Sequence, residues 1–172
     1  LLSFDKKVAF YAKWKYLFPA IILTALFFIA WDIYFTERGI WGFSPEHLSG
    51  LYIIKLPVEE WLFFLVIPYA SVFTYEVVIT YFKRIGKGKA AGTVNLVLIG
   101  LALVMIVAFR TKAYTLVTFS LIAIVLALQH WLLKSPWMQS FYLSYLLVLL
   151  PFMVIDGMLT GTFIAGEVVW YD

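Results

Sequence analysis

The feature that most constrains this chain is a series of long apolar runs, separated by short stretches where charge, Gly and Pro collect. Five of them, at 17–35, 58–82, 90–109, 113–133 and 138–161, are long enough to cross a hydrocarbon layer of roughly 30 Å, which takes about 20 helical residues. In lipid every backbone N–H and C=O must be bonded internally, so only helices and closed barrels can span. Barrel strands are shorter and alternate apolar with polar residues, and these runs do not alternate. The expected fold is therefore an all-α, polytopic transmembrane bundle with about five spans in this chain.

Composition agrees, since 64% hydrophobic and only 13% charged residues exceed what an ordinary soluble core holds. Many of the seven Trp and eleven Tyr stand near the ends of the runs, as interfacial belts require. The absence of Cys removes disulfides, thiolate nucleophiles and Cys-ligated metals or clusters. A net charge of +3 does not mark a nucleic-acid partner, because the basic residues flank the spans and are explained by topology. Placing the start inside puts Lys6, Lys7, Lys13, Lys15, Lys83, Arg84, Lys87, Lys89 and Lys134 on the cytoplasmic side, against Arg38, Lys55, Arg110 and Lys112 outside. Glu167, Asp172 and the loop 36–56, with Gly39, Trp41, Gly42, Pro45 and Gly50, then fall outside, the loop packing over the bundle. The expected location is an integral one in a bacterial cytoplasmic membrane. The chain opens at Leu1-Leu2 without a recognisable signal peptide and reads as a fragment that starts after an earlier apolar segment.

Charged groups in or beside a span are expensive, so Asp32, Glu59, Glu60, Glu76 and Asp156 demand explanation. No Lys or Arg lies deep in a span to neutralise them, and carboxyl groups in a dry, cation-poor site keep protons they can donate. Pro57-Val58-Glu59-Glu60 opens the second run, where Pro suits a first helical turn and Glu suits the positive helix end. Acidic first-turn residues at an interface need no function. Consecutive helical residues, however, point about 100° apart, so one of the two Glu must face the bundle among Trp61, Phe63 and Phe64. Asp32, late in the first run, reaches the same membrane level, which makes a three-carboxylate cluster the expectation. Its bland alternative is an interfacial Asp capping the loop. Glu76, about 25 Å further along the helix, reads as a snorkelling or interhelical carboxylate.

Other motifs carry less. His47 and His130 are too few and too separated to hold a metal. Gly86-Lys87-Gly88-Lys89-Ala90-Ala91 imitates a dinucleotide fingerprint but lacks the strand and βαβ context. Every Lys lies at the end of a span, which excludes a retinal Schiff base in mid-membrane. An internal echo pairs Trp31-Asp32 and Gly39 with Ile155-Asp156 and Gly161, and a counterpart of Glu59 would fall beyond residue 172.

Phe4-Asp5-Lys6-Lys7, Trp31-Asp32, Gly39-Ile40-Trp41-Gly42-Phe43 and above all Pro57-Val58-Glu59-Glu60 with Phe63-Phe64 resemble the small membrane-integral lycopene cyclases of carotenoid biosynthesis. These occur as two subunits or as fused repeats, and the resemblance covers nearly the whole chain. Asp156-Gly157-Met158-Leu159-Thr160-Gly161 and Val168-Val169-Trp170-Tyr171 look like a second unit whose own acidic signature is absent. The resemblance implies a first cyclase unit at 1–85, a linker span at 86–112, a second unit at 113–172, and a parent of seven spans. It implies an isomerase that closes ionone rings on lycopene or a related linear carotenoid by proton-initiated, redox-neutral chemistry, without a cofactor. Glu59 and Glu60 would be acid and base or relay, with Asp32 assisting and Asp156 as a second-unit carboxylate. Trp31, Trp41, Trp61, Phe63 and Phe64 would wall the substrate. Partners would be the carotenoid and membrane lipid, with homo- or hetero-oligomers open and nucleic acid excluded. Rival readings are water capture of the cation by a hydratase, a C50 substrate, proton or cation transport, and a non-catalytic membrane subunit.

Overall fold

A computed structural model gives the architecture and describes residues 2–82, 90–162 and 166–171. The basic loop 83–89, with most of the glycine-lysine motif, and Asp172 lie outside these residues. Among the described residues five helical segments are long and apolar enough to cross a membrane, formed by α1 (Trp14–Glu37), α2 (Val58–Tyr81), α3 (Ala90–Ala108), α4 (Ala113–Ala127) with the turn that follows it, and α5 (Met138–Leu159). The all-α expectation holds, with boundaries within three residues of the apolar runs except after α4. There the helix widens into a π-helical turn, Leu128–Leu133, before ending at Lys134 in the left-handed conformation. The helices carry internal Pro19, Pro68 and Pro151, which spans tolerate because neighbouring groups re-satisfy the freed carbonyls. Hydroxyls of Thr24, Ser71, Thr74 and Ser120 bond back to the carbonyl four residues earlier, the local outlet for a polar side chain in lipid.

The chain divides into two compact units, one of residues 1–81 and 144–172, the other of 82–143. In the first, α1 presents a stripe of Leu17, Ile21, Ala25, Ile29, Asp32 and Phe35 that is buried at successive steps of three or four. Asp32 thus belongs to the interior face of its helix and not to the lipid face. The N-terminal 3₁₀ turns fold across the same pair of helices. Phe10 is fully buried between Tyr69 and Phe73 of α2, and the Tyr69 hydroxyl meets both Ser3 Oγ (2.7 Å) and Trp14 Nε1 (3.1 Å). Glu76, late in α2, pairs with Lys13 at 2.5 Å, so the carboxylate is interhelical.

At the other end of this unit short strands build a cover. After α1 the chain turns at Gly39, whose φ of +65° favours glycine, and enters β1 (Trp41–Phe43). A hairpin of β2 (Tyr52–Ile53) and β3 (Leu56–Pro57) then leads into α2. The strand after α5, β4 (Val169–Tyr171), pairs antiparallel with β1, opposing Trp41 to Tyr171, Gly42 to Trp170 and Phe43 to Val169. The pairing extends through Ser44 N–H to Val168 C=O at 2.8 Å, and Val168 N–H returns to Leu159 C=O at 2.7 Å. The loop does lie over the bundle, held by a strand from the far end of the chain.

In the second unit, α3 and α4 pack along their length, and buried Asn95 of α3 accepts a hydrogen bond from the Tyr142 hydroxyl of α5. Interhelical polar bonds of this kind hold spans together where lipid offers no hydrophobic drive.

Candidate functional site

The predicted site residues collect beneath the β1–β4 cover, where α1 ends, α2 begins and α5 ends. Pro57 precedes the first turn of α2, and the two following carboxylates diverge. Glu59 turns outward to the loop, its Oε1 accepting Ser49 N–H at 2.8 Å. Glu60 points toward α1 and lies within Coulombic reach of Asp32. Asp32 is 8% exposed, and its Oδ2 is buried with no hydrogen-bond partner among the described residues. Two of the three carboxylates are thus brought together, and the third is spent on holding the loop. The ion pairs among the described residues, Lys13–Glu76 and Lys55–Glu37, involve none of them.

Asp156 follows Phe152 by one helical turn on α5, and Phe152 meets Phe63 of α2 with ring centroids 6.4 Å apart. Because α2 leaves the cover and α5 approaches it, one turn beyond Phe152 corresponds to one turn before Phe63. Asp156 therefore shares the level of Glu59. Its carbonyl accepts both the N–H and the hydroxyl of Thr160, closing the helix end.

The aromatic candidates divide by task. Trp61 sends Nε1–H to Ile53 C=O at 3.1 Å and packs against the cluster of Ala25, Ile29 and Leu56, so it braces the hairpin. Trp41, 8% exposed, stacks on Tyr171 at 6.0 Å and forms part of the cover. Phe63 stands edge-on to Phe64 at 5.9 Å. Trp31 and Phe64 both neighbour a residue that the sequence did not single out, Phe28. Its ring is nearly parallel to both, at 5.8 Å and 25° from Trp31 and at 6.2 Å and 10° from Phe64. In a chain with 16 Phe nothing but its position four residues before Asp32 could have flagged it.

The same end of the unit concentrates unsatisfied polar atoms. Trp31 Nε1, Asp32 Oδ2, Thr36 Oγ1, Trp41 Nε1 and Glu59 Oε2 are all buried without hydrogen-bond partners among the described residues. Isolated buried polar atoms of this kind are rare in folded proteins, and several together mark a place built to meet something other than the chain itself. The arrangement brings two carboxyl groups within Coulombic reach of each other among aromatic side chains, with neither in an ion pair among the described residues. His130 stands edge-on to Trp131, and His47 faces Gly166.

Comparison with known proteins supplies an independent line. A family model described as lycopene cyclase matches residues 1–78 and 111–172, leaving α3 in the gap. The bifunctional lycopene cyclase/phytoene synthase of Aspergillus niger is 26% identical over 130 residues, 70% of this chain and 22% of that relative. The chain thus spans about a fifth of the length of the curated relative it matches. No solved structure matches.

Proposed function

We propose, from the premise that this chain belongs to the lycopene cyclase family, that its Asp32–Glu60 pair initiates ionone ring closure on lycopene or a related linear carotenoid. The carrying observation is the approach of two carboxyl groups to within Coulombic reach, one on the buried stripe of α1 and one in the first turn of α2, among aromatic side chains and without a basic partner among the described residues. Like charges at short range disfavour double ionisation, so such a pair has one proton to give and one carboxylate to receive it.

The chemistry follows from that inventory. The neutral member protonates the terminal double bond of the polyene, forming a C–H bond and a tertiary cation. The π electrons of an internal double bond then form the new ring C–C bond and pass the charge to the next tertiary carbon. Loss of an adjacent ring proton to the carboxylate restores a double bond. Product and substrate have the same formula and no electron is exchanged, so the enzyme is an isomerase of the intramolecular-lyase type and the reaction calls for no cofactor. Water must be kept away from the cation, a task for the β1–β4 cover and the wall of Trp31, Trp61, Phe63 and Phe64. A C40 hydrocarbon dissolves only in lipid and would enter sideways between helices of a bacterial cytoplasmic membrane.

The division into a first unit at 1–85, a linker at 86–112 and a second unit at 113–172 belongs to the same proposal. It is supported by the break in the family match between residues 78 and 111, which overlaps most of the linker.

The test is pigment chromatography of lycopene-accumulating bacterial cells expressing the full-length protein, beside Glu60→Gln and Asp32→Asn variants present in the membrane at equal amounts. The wild type should yield cyclic carotenoid, and each variant should lose at least about 100-fold, the usual scale of a general acid. Unchanged lycopene with well-inserted wild-type protein would sink the proposal.

A further inference from the structure

We infer that Phe28 is a catalytic residue of the ring closure, its ring face holding the carbocation formed one helical turn beneath the Asp32–Glu60 pair. The inference rests on the cyclase reading and deepens it by naming a group that neither the signature motif nor the family match assigns.

The geometry is the same on both helices. Phe28 precedes Asp32 by four residues on α1, and Phe64 follows Glu60 by four on α2, so each ring lies on the face of its own carboxylate, about 6 Å along the axis. The two helices run in opposite directions from the cover, so both displacements point away from it, toward the middle of the unit. The rings meet there at 6.2 Å and within 10° of parallel. Trp31 is a second near-parallel neighbour of Phe28, at 5.8 Å and 25°. A layer of acid is thus backed by a layer of π faces, and Phe28 is the member in contact with both of the other rings.

That order suits the reaction. Proton transfer leaves the positive charge on a carbon of the substrate, beyond the reach of the acid that created it, and ring closure moves the charge further along the same chain. An aromatic face attracts a cation within about 6 Å of its centroid, and more strongly where water is excluded. Phe28 is half-buried, with Ala25 and Ile29 of the same helix buried beside it. Simple packing would explain a large apolar side chain here, but it does not require two near-parallel aromatic neighbours. Nor does it require that Phe28 and Phe64 stand one turn below the acids on each helix.

The experiment separates electrostatics from shape. Phe28 is replaced in the full-length protein by phenylalanines carrying one, two and three ring fluorines, which weaken the negative face with little change in volume, and cyclic product is measured in lycopene-accumulating cells. Product should fall stepwise with each fluorine, to about tenfold or more across the series, while the amount of membrane-inserted protein stays constant. Phe28→Leu should fall at least as far and Phe28→Trp should retain activity. Equal product across the fluorinated series, with an active wild type, would overturn the role of Phe28 and leave the acid pair standing. A wild type that makes no cyclic product would overturn the cyclase reading and this assignment with it.

Discussion

Glu59 accepts the backbone N–H of Ser49 at 2.8 Å, and so the first turn of α2 is fastened to the loop that crosses above it. Its neighbour Glu60 is turned about 100° away, toward Asp32. Two adjacent residues of the same type thereby acquire different surroundings, one bonded to the loop and one facing a second carboxyl group.

The separation predicts opposite sensitivities. Glu59→Gln keeps an Oε1 acceptor for Ser49 and should retain most of the cyclising activity, whereas the equally conservative Glu60→Gln should not. Glu59→Ala, which removes the acceptor, should loosen the loop by about 1–2 kcal/mol, read as faster proteolytic cleavage within residues 44–56. Equal loss of product in Glu59→Gln and Glu60→Gln would show that both carboxylates do chemistry.

Gly42 is predicted to be intolerant of even a methyl group. A Cβ there would stand 2.4 Å from Cζ2 and 2.7 Å from Cε2 of Trp170, closer than any real contact. Gly42→Ala should therefore destabilise the protein by about 1–3 kcal/mol, seen as a lower thermal midpoint in detergent, and adding Trp170→Leu should recover part of the loss. Gly100→Ala is the control, since nothing lies within 4 Å of its Cβ position in α3. There the helix propensity of Ala should leave stability unchanged or improve it by up to about 1 kcal/mol. If the two alanines behaved alike, Trp170 would not be seated on Gly42.

The Lys13–Glu76 pair should respond asymmetrically. The lysine side chain is 49% exposed and the glutamate only 11%. Lys13→Met would strand a carboxylate among apolar helices, at about 1–2 kcal/mol once the exposure of the pair is allowed for. Glu76→Gln leaves a lysine free to reach the interface, and should cost less. Thermal unfolding of the two single variants and the double variant would decide, and a greater loss in Glu76→Gln would contradict the burial order.

Much of this architecture was legible from the chain because lipid allows so few solutions. Apolar runs of spanning length, cut by Pro57, the 83–89 basic stretch, Lys112 and Lys134, leave little choice of helix or boundary. The rotation of the helices was hidden for the same reason. When Ile21 and Ile22, or Phe27 and Phe28, are equally apolar, periodicity no longer distinguishes interior from lipid face, so Phe28 could not be told from its neighbour. The divergence of Glu59 and Glu60 was legible as a geometric necessity, but its direction depends on how the hairpin 52–57 delivers the chain to α2. The three-residue strands were silent altogether. Val169–Tyr171 is too short to show alternation, and its partner stands at the opposite end of the chain.

That distant pairing also fixes an order of assembly. Chains are made from the N-terminus, and contacts between remote segments form only when the later one exists. Asp32 and Glu60 can meet as soon as α1 and α2 are in the membrane, while β1 must wait with an unpaired edge until α5 has been inserted and Val169–Tyr171 has followed it. The pairing that completes the cover is therefore made last. A chain stopped just short of β4 would leave β1 without its partner strand.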